Sequence, residues 1–120
     1  MNTPVKFEIA KLLKEKGYNE QTIDIYQDGE ILRLKSTISN KEFMTSRNYS
    51  APTIAEVVMW LYEKYKIWIQ VFILNKTFAW KVQDVNTLVI TCLYAQQDKG
   101  YNSPTEAYEA AIEYTLENLI

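Results

Sequence analysis

The sequence predicts an α+β fold, with helices packed on antiparallel sheet in the order α-ββ-α-βββ-α. Three observations carry this prediction. The stretches TPVKFEIAKLLKEKG and TIAEVVMWLYEKY space their apolar residues as amphipathic helices do, and SPTEAYEAAIEYTLENLI opens on a helix-start pair. TIDIYQDGEILRLK sets Asp28-Gly29 between two β-prone runs, a strong hairpin signal. KIWIQVFIL, TFAWKVQ and LVITCLY follow one another through short turns, and runs of strands joined that closely pair antiparallel.

Each element has its own justification. In the first helix Thr3 is the expected cap, Pro4 the first helical residue and Gly17 the exit, with Val5, Ile9, Leu12 and Leu13 on one stripe. Asp-Gly tolerates positive φ at both central turn positions, so residues 22–35 read as a hairpin. Residues 36–52 lack periodicity and read as a long loop with room for a short strand. Thr53 and Glu56 form a capping box for the second helix, whose buried face is Ile54, Val58, Leu61 and Tyr65. KIWIQVFIL is apolar on both faces, which predicts a central strand covered on both sides, Trp68 and Phe72 included. Asn75-Lys76 and Asp84–Thr87 are the turns of a three-stranded meander, in which Phe78, Trp80 and Val82 alternate with small or polar residues. After the polar run QQDKGYN, Ser103 caps the last helix, Pro104 is its first residue and Glu106 completes a second capping box.

Composition bounds the function. At 120 residues the chain is read as one domain, residues 1–120, and 48% apolar with 23% charged residues is globular rather than disordered. A net charge of −2 gives no general basic field for nucleic acid or a membrane surface. The start has no apolar signal region and no run of 18 apolar residues occurs, so a cytoplasmic location without membrane contact is expected. The single cysteine, Cys92, fits a reducing compartment and reads as a buried structural thiol. With no histidine, one cysteine and glycine only at positions 17, 29 and 100, the sequence offers no proton shuttle, zinc cluster or phosphate loop. We therefore expect no catalytic residues, no cofactor and no metal.

The run YSAPTIAEVVMWLYEKYKIWIQV, then a β meander, then SPTEAYEAAIEYTLENLI resembles small proteins carried by phages, prophages and mobile elements of gut bacteria. The arrangement is similar to the phage ABA sandwich domain. The resemblance covers about residues 49–120, with an echo in FEIAKLLKEKGY, while the hairpin at 22–35 lies outside it. It implies an α/β/α layering and a mobile-element origin, and it carries over no catalytic or ligand residue.

Two surfaces are candidate binding sites. On the second helix the polar side defined by Glu56 and Glu63 also carries Met59 and Trp60, residue types suited to an interface anchor. The alternative is that residues 36–49, with Phe43 and Met44, fold over this pair. The last helix stacks Glu106, Glu109, Glu113 and Glu117 in one row. The first two suit the helix dipole, whereas Glu113 and Glu117 each follow a like charge by four residues, a cost of about 0.2–0.5 kcal/mol per pair. A solvated outer face accounts for the row, and a docking stripe for a basic partner is the other reading.

The segment around residues 33–50 holds Arg33, Lys35, Lys41 and Arg47 against Glu42, a basic patch that could meet the glutamate row or touch phosphate, with Trp68 and Phe72 as the stacking platform. Phe7 interrupts a lysine-bearing face and is expected near Tyr18. The function expected from all this is a non-enzymatic accessory protein acting through protein–protein interaction, with an unidentified partner or as a homodimer. The alternative is a weak nucleic-acid-associated regulator using the basic segment.

Overall fold

The computed structural model describes residues 1–93 and 100–120, with the side chains of 91–93 left aside. Its elements are α1 (Phe7–Glu15), β1 (Thr22–Gln27), β2 (Glu30–Ile38), a 3-10 turn (Asn40–Glu42), β3 (Asn48–Ser50), α2 (Ile54–Tyr65), β4 (Ile67–Leu74), β5 (Thr77–Asp84), β6 (Ile90–Leu93) and α3 (Pro104–Asn118). The class is α+β and the order follows the sequence expectation, with β3 as the additional short strand. The polar run at 96–102 falls largely outside the described residues, as does the side chain of Cys92.

The strands form two antiparallel sheets, ordered β2-β1-β3 and β4-β5-β6. Asp28 and Gly29 take φ of 52° and 82° in the first hairpin, and Asn75 and Lys76 take 50° and 67° in the second. Consecutive positive φ values are what a two-residue turn needs to match the right-handed strand twist. The register of β1 against β2 slips between Thr22 and Asp24. β2 pairs only with β1 and is a mostly exposed edge strand carrying Ile31 and Leu32.

The expectation that β4 is central does not hold: β5 is, and β4 is an edge strand. Ile67 and Ile69 on β4 and Trp80 and Val82 on β5 point into the core. On the opposite face Trp68 is 40% exposed, leaning edge-on against Tyr62 of α2 at 5.7 Å. The second apolar face of β4 is thus partly wet, and Trp68 is not a core residue. The helices occupy the middle of the molecule. α3 lies against β4 and β5, α2 against β4, and α1 against α3 and β3. Tyr62 of α2 reaches the Trp68 face, while α1 joins the helices to the first sheet through β3.

The first helix starts at Phe7, not beside Thr3 and Pro4. Residues 3–5 are extended instead and pair with the residues just before α2: Val5 donates its N–H to Pro52 O at 2.9 Å, and Ile54 donates to Thr3 O at 3.0 Å. Ala55 N–H reaches Met1 O at 3.1 Å, while the Thr53–Glu56 capping box closes as expected. A helix start leaves four orphan N–H groups. Here Ile54 and Ala55 donate to the carbonyls of Thr3 and Met1, Glu56 to Thr53 Oγ1, and Thr53 to the Glu56 carboxylate. Tertiary pairing therefore outcompetes the local Thr-Pro start signal. α1 exits as expected, with Gly17 at φ 87° and Tyr18 N–H bonded to Leu13 O at 2.9 Å.

The core joins Val5, Ile9 and Leu13 to Ile54, Val57 and Leu61, and these to Ile69, Trp80, Ile112 and Leu116. Each such side chain contributes about 1.5–3 kcal/mol by leaving water. Phe7 packs on Tyr26 and Tyr49 at 5.3 and 5.6 Å, not on Tyr18.

Gly100 lies hard against Thr77, where the paired backbones of Phe78 and Tyr101 bring the start of α3 back to β5. A Cβ there would collide with the Thr77 side chain, including its own Cβ. Gly100→Ala is expected to lower stability by about 1–3 kcal/mol. A urea midpoint shifted down with unchanged slope would show this, and an unchanged midpoint would refute the close approach.

Candidate functional site

A spacing of three, four and seven residues places Glu56, Met59, Trp60 and Glu63 on one stripe of α2. The stripe forms one wall of an open cleft of about 530 Å³, completed by Lys64 and by Tyr18 and Glu20 from the connection between α1 and β1. The four α2 residues singled out from the sequence therefore share a site, but they do not play equal parts. Met59 is 45% exposed, whereas Trp60 is 7% exposed and belongs to the core. The segment 36–49 does not cover them: Phe43 lies near the Lys14 ammonium and Met44 is fully exposed. Trp60 is enclosed instead by Tyr18 and Tyr65, both edge-on, at 5.1 and 5.5 Å.

Tyr18 is fixed from its backbone. Its carbonyl accepts from Asn40 Nδ2 at 2.8 Å, and Asn40 Oδ1 in turn accepts from Ser50 N–H at 2.9 Å. The ring is 2% exposed, and its hydroxyl makes no hydrogen bond among the described residues. Burial, with the negative charges of Glu56 and then Glu20, pushes its phenol well above the ordinary tyrosine range. The group stays a neutral hydroxyl, able to donate or accept. Glu56 is partly committed through Oε1 to Thr53 N–H at 2.9 Å, whereas Glu20 and Glu63 have no polar partner among the described residues. The Lys64 ammonium sits 5.4 Å from the Trp60 ring centre and 5.6 Å from that of Tyr65.

The glutamate row of α3 is largely engaged within the molecule. Glu106 Oε2 accepts from Asn102 N–H at 3.2 Å, one residue before the cap, so the expected second capping box is displaced by one position. Glu109 Oε2 accepts from Lys6 N–H at 3.2 Å, and Glu113 pairs with the Lys6 ammonium at 3.4 Å. The row therefore anchors the start of α1, and Glu117 alone of the four has no polar partner among the described residues. Neither a purely solvated face nor an unbroken docking stripe describes it.

Of the four basic residues, both arginines are paired with aspartates. Arg33 clasps the buried Asp24 with Nε and Nη2 at 3.0 and 3.1 Å. Arg47 lies 3.9 Å from Asp28 in the hairpin turn. Lys35 and Lys41 are exposed on β2 and on the 3-10 turn. Aspartates close in space but far in sequence take up the arginines, which the local charge count could not reveal. Among the described residues no group of three His, Cys, Asp or Glu side chains is placed to hold a metal. Tyr18, Glu20 and Lys64 were missed as site residues. Lys64 could have been added as the next position on the α2 stripe, but nothing local marks Tyr18 or Glu20.

Because the Tyr18 phenol ionises later in the folded than in the unfolded chain, the unfolded state gives up its proton first. Stability is then fully present below tyrosine's ordinary pKa of about 10 and is lost as pH rises past it. Tyr26 is shifted in the same direction, by burial and by Glu109 and Glu8. In Tyr18→Phe the alkaline fall in stability should be shallower than in the parent, measured as urea midpoint against pH; identical slopes would contradict the buried phenol.

No family model, no curated protein and no solved structure matches the chain, so the residues themselves carry its functional reading.

Proposed function

We propose that the chain is a non-enzymatic accessory protein that docks another protein on the α2 face centred on Met59. The observation that carries this reading is the exposure of Met59 between Glu56 and Glu63, beside the aromatic floor made by Trp60. An unbranched thioether adapts to a partner's shape, and a rim of charge around an apolar anchor is the usual anatomy of a protein interface. Trp60, 7% exposed, chiefly supports the anchor from below and offers the partner only the part of its ring that lines the cleft. The resemblance of residues 49–120 to phage and mobile-element proteins makes a host or phage protein, or a second copy of the chain, the expected partner. The nucleic-acid reading has less support, because Arg33 and Arg47 each lie against an aspartate.

Trp60 is too buried for a clean surface variant, so the informative substitution is Met59→Asp, with Met44→Asp as an exposed control elsewhere. Tagged protein is incubated with nuclease-treated lysate, and captured proteins are identified by mass spectrometry. A partner kept by Met44→Asp and reduced about tenfold or more by Met59→Asp is the expected result, the size of effect an interface hot spot has. Capture equal for both variants, or none by the parent, would overturn the reading.

A further inference from the structure

The cleft beside Met59 has a chemistry more specific than that of a general docking face. Its lining brings together the carboxylates of Glu20, Glu56 and Glu63 against one cation, Lys64. Glu20 and Glu63 lack partners among the described residues, and no ion pair joins Lys64 to any of the three. An acidic cluster alone would say little, since such groups are content in water. The second observation is Tyr18: a side chain 98% withdrawn from solvent whose hydroxyl borders the cleft without a described hydrogen-bond partner. The hydroxyl is not among the fully enclosed unpaired polar atoms, so this otherwise buried side chain presents its polar tip to the cleft, free to bond what enters it. The third is Lys64 itself. Its ammonium rests over the Trp60 and Tyr65 rings rather than on a carboxylate, which marks the aromatic wall as a surface that accepts a cation.

We infer that this cleft receives a basic side chain, a lysine or arginine of the docked protein, with Glu20 and Glu63 taking its charge, Met59 and Trp60 its aliphatic stem and the Tyr18 hydroxyl a hydrogen bond. The inference rests on the protein-docking reading and deepens it. The cleft supplies what a long basic side chain needs: apolar surface for the methylenes and charge at the tip. Lys64 is the internal competitor, since an incoming cation must share its negative field and displace it from the Trp60 ring or stack beside it. Tyr18 stays neutral and so adds a dipole without adding to the charge balance.

The probe is Nα-acetyl-lysine methylamide, compared with the norleucine analogue, which keeps the stem and lacks the charge. Binding is followed by the indole N–H resonance of Trp60, assigned with Trp60→Phe, and by the Met59 methyl resonance. The lysine probe should shift both saturably with a dissociation constant on the order of millimolar, the norleucine analogue should not, and Glu20→Gln with Glu63→Gln should weaken binding roughly three- to tenfold. Lys64→Ala should tighten it by a few-fold. Equal shifts by both probes, no saturable shift, or indifference to the glutamine pair would each overturn the inference. The two readings fail separately. A partner lost by Met59→Asp but retained by the Glu20→Gln/Glu63→Gln pair leaves docking intact and removes the basic side chain. Saturable lysine binding with no partner captured removes the docking reading and keeps the chemistry of the cleft.

Discussion

Residues 1–5 lie in extended pairing with residues 52–55, and the rest of the fold depends on that junction. It answers the first two orphan donors of α2 with the carbonyls of Thr3 and Met1, at 3.0 and 3.1 Å. It also places Val5 wholly within the core, one residue before the cap of α1. On the other side, Ala51 N–H bonds to Asp24 O at 2.9 Å, which ties the end of β3 to β1. Three elements distant in sequence therefore meet at one short stretch of backbone. A single bond of this kind adds only about 0.5–1.5 kcal/mol net, whereas a buried donor left without a partner costs about 1–3 kcal/mol. The junction thus acts chiefly by excluding alternatives: α2 cannot shift along α1 without stranding its own amide groups.

The cleft is a consequence of that fixed register. One wall is a helix face and the other is the chain leaving α1, and in sequence the two are separated by all three strands of the first sheet. Gly17, at φ 87°, turns the chain out of α1 so that Tyr18 arrives edge-on to Trp60 at 5.1 Å. Asn40 then holds the Tyr18 carbonyl while taking the Ser50 amide, so the 3-10 turn and β3 brace the same wall. The turn is itself held by Glu42. Its carboxylate accepts from Gln21 Nε2 and from the Ser39 hydroxyl and amide, bonds that keep it below the usual carboxylate range. The apparently irregular segment 36–50 is better described as a scaffold for Tyr18 than as a loop.

What could be read from the sequence follows from how local its cause is. The Thr53 box, the Asp28-Gly29 and Asn75-Lys76 turns and the Gly17 exit each depend on a few adjacent residues, and each is present. The α2 stripe was equally legible, because helical spacing alone brings Glu56, Met59, Trp60 and Glu63 together. The false start at Thr3-Pro4 turns on a pairing partner remote in sequence, Thr53 for Pro4. The misplaced centre of the second sheet has a different reason: in a meander of three consecutive strands the middle one, β5, pairs on both sides, whatever the two-faced apolarity of β4 suggests. Burial of Trp60 was not legible either, since the ring that covers it lies 42 positions earlier, Tyr18. A helix face chosen by polarity counts its charged members correctly and says nothing about a neighbour that shields its middle.

The same distinction separates the two sets of glutamates, which composition treats alike. On α3 the charges of Glu109 and Glu113 are answered by the Lys6 amide and ammonium, which offset the like-charge spacing along the helix and give the row a structural task. A surface whose charge is already answered gains little from a partner, because docking there must first break what it would replace. At the cleft the opposite holds. Glu20 and Glu63 have no described partner, and Lys64, the one cation lining the cleft among the described residues, lies on aromatic rings. The net charge of −2 averages over both and predicts neither. Recognition by this chain is therefore to be sought where negative charge is left unanswered beside apolar surface, at the α2–Tyr18 cleft, rather than where the carboxylates are most numerous.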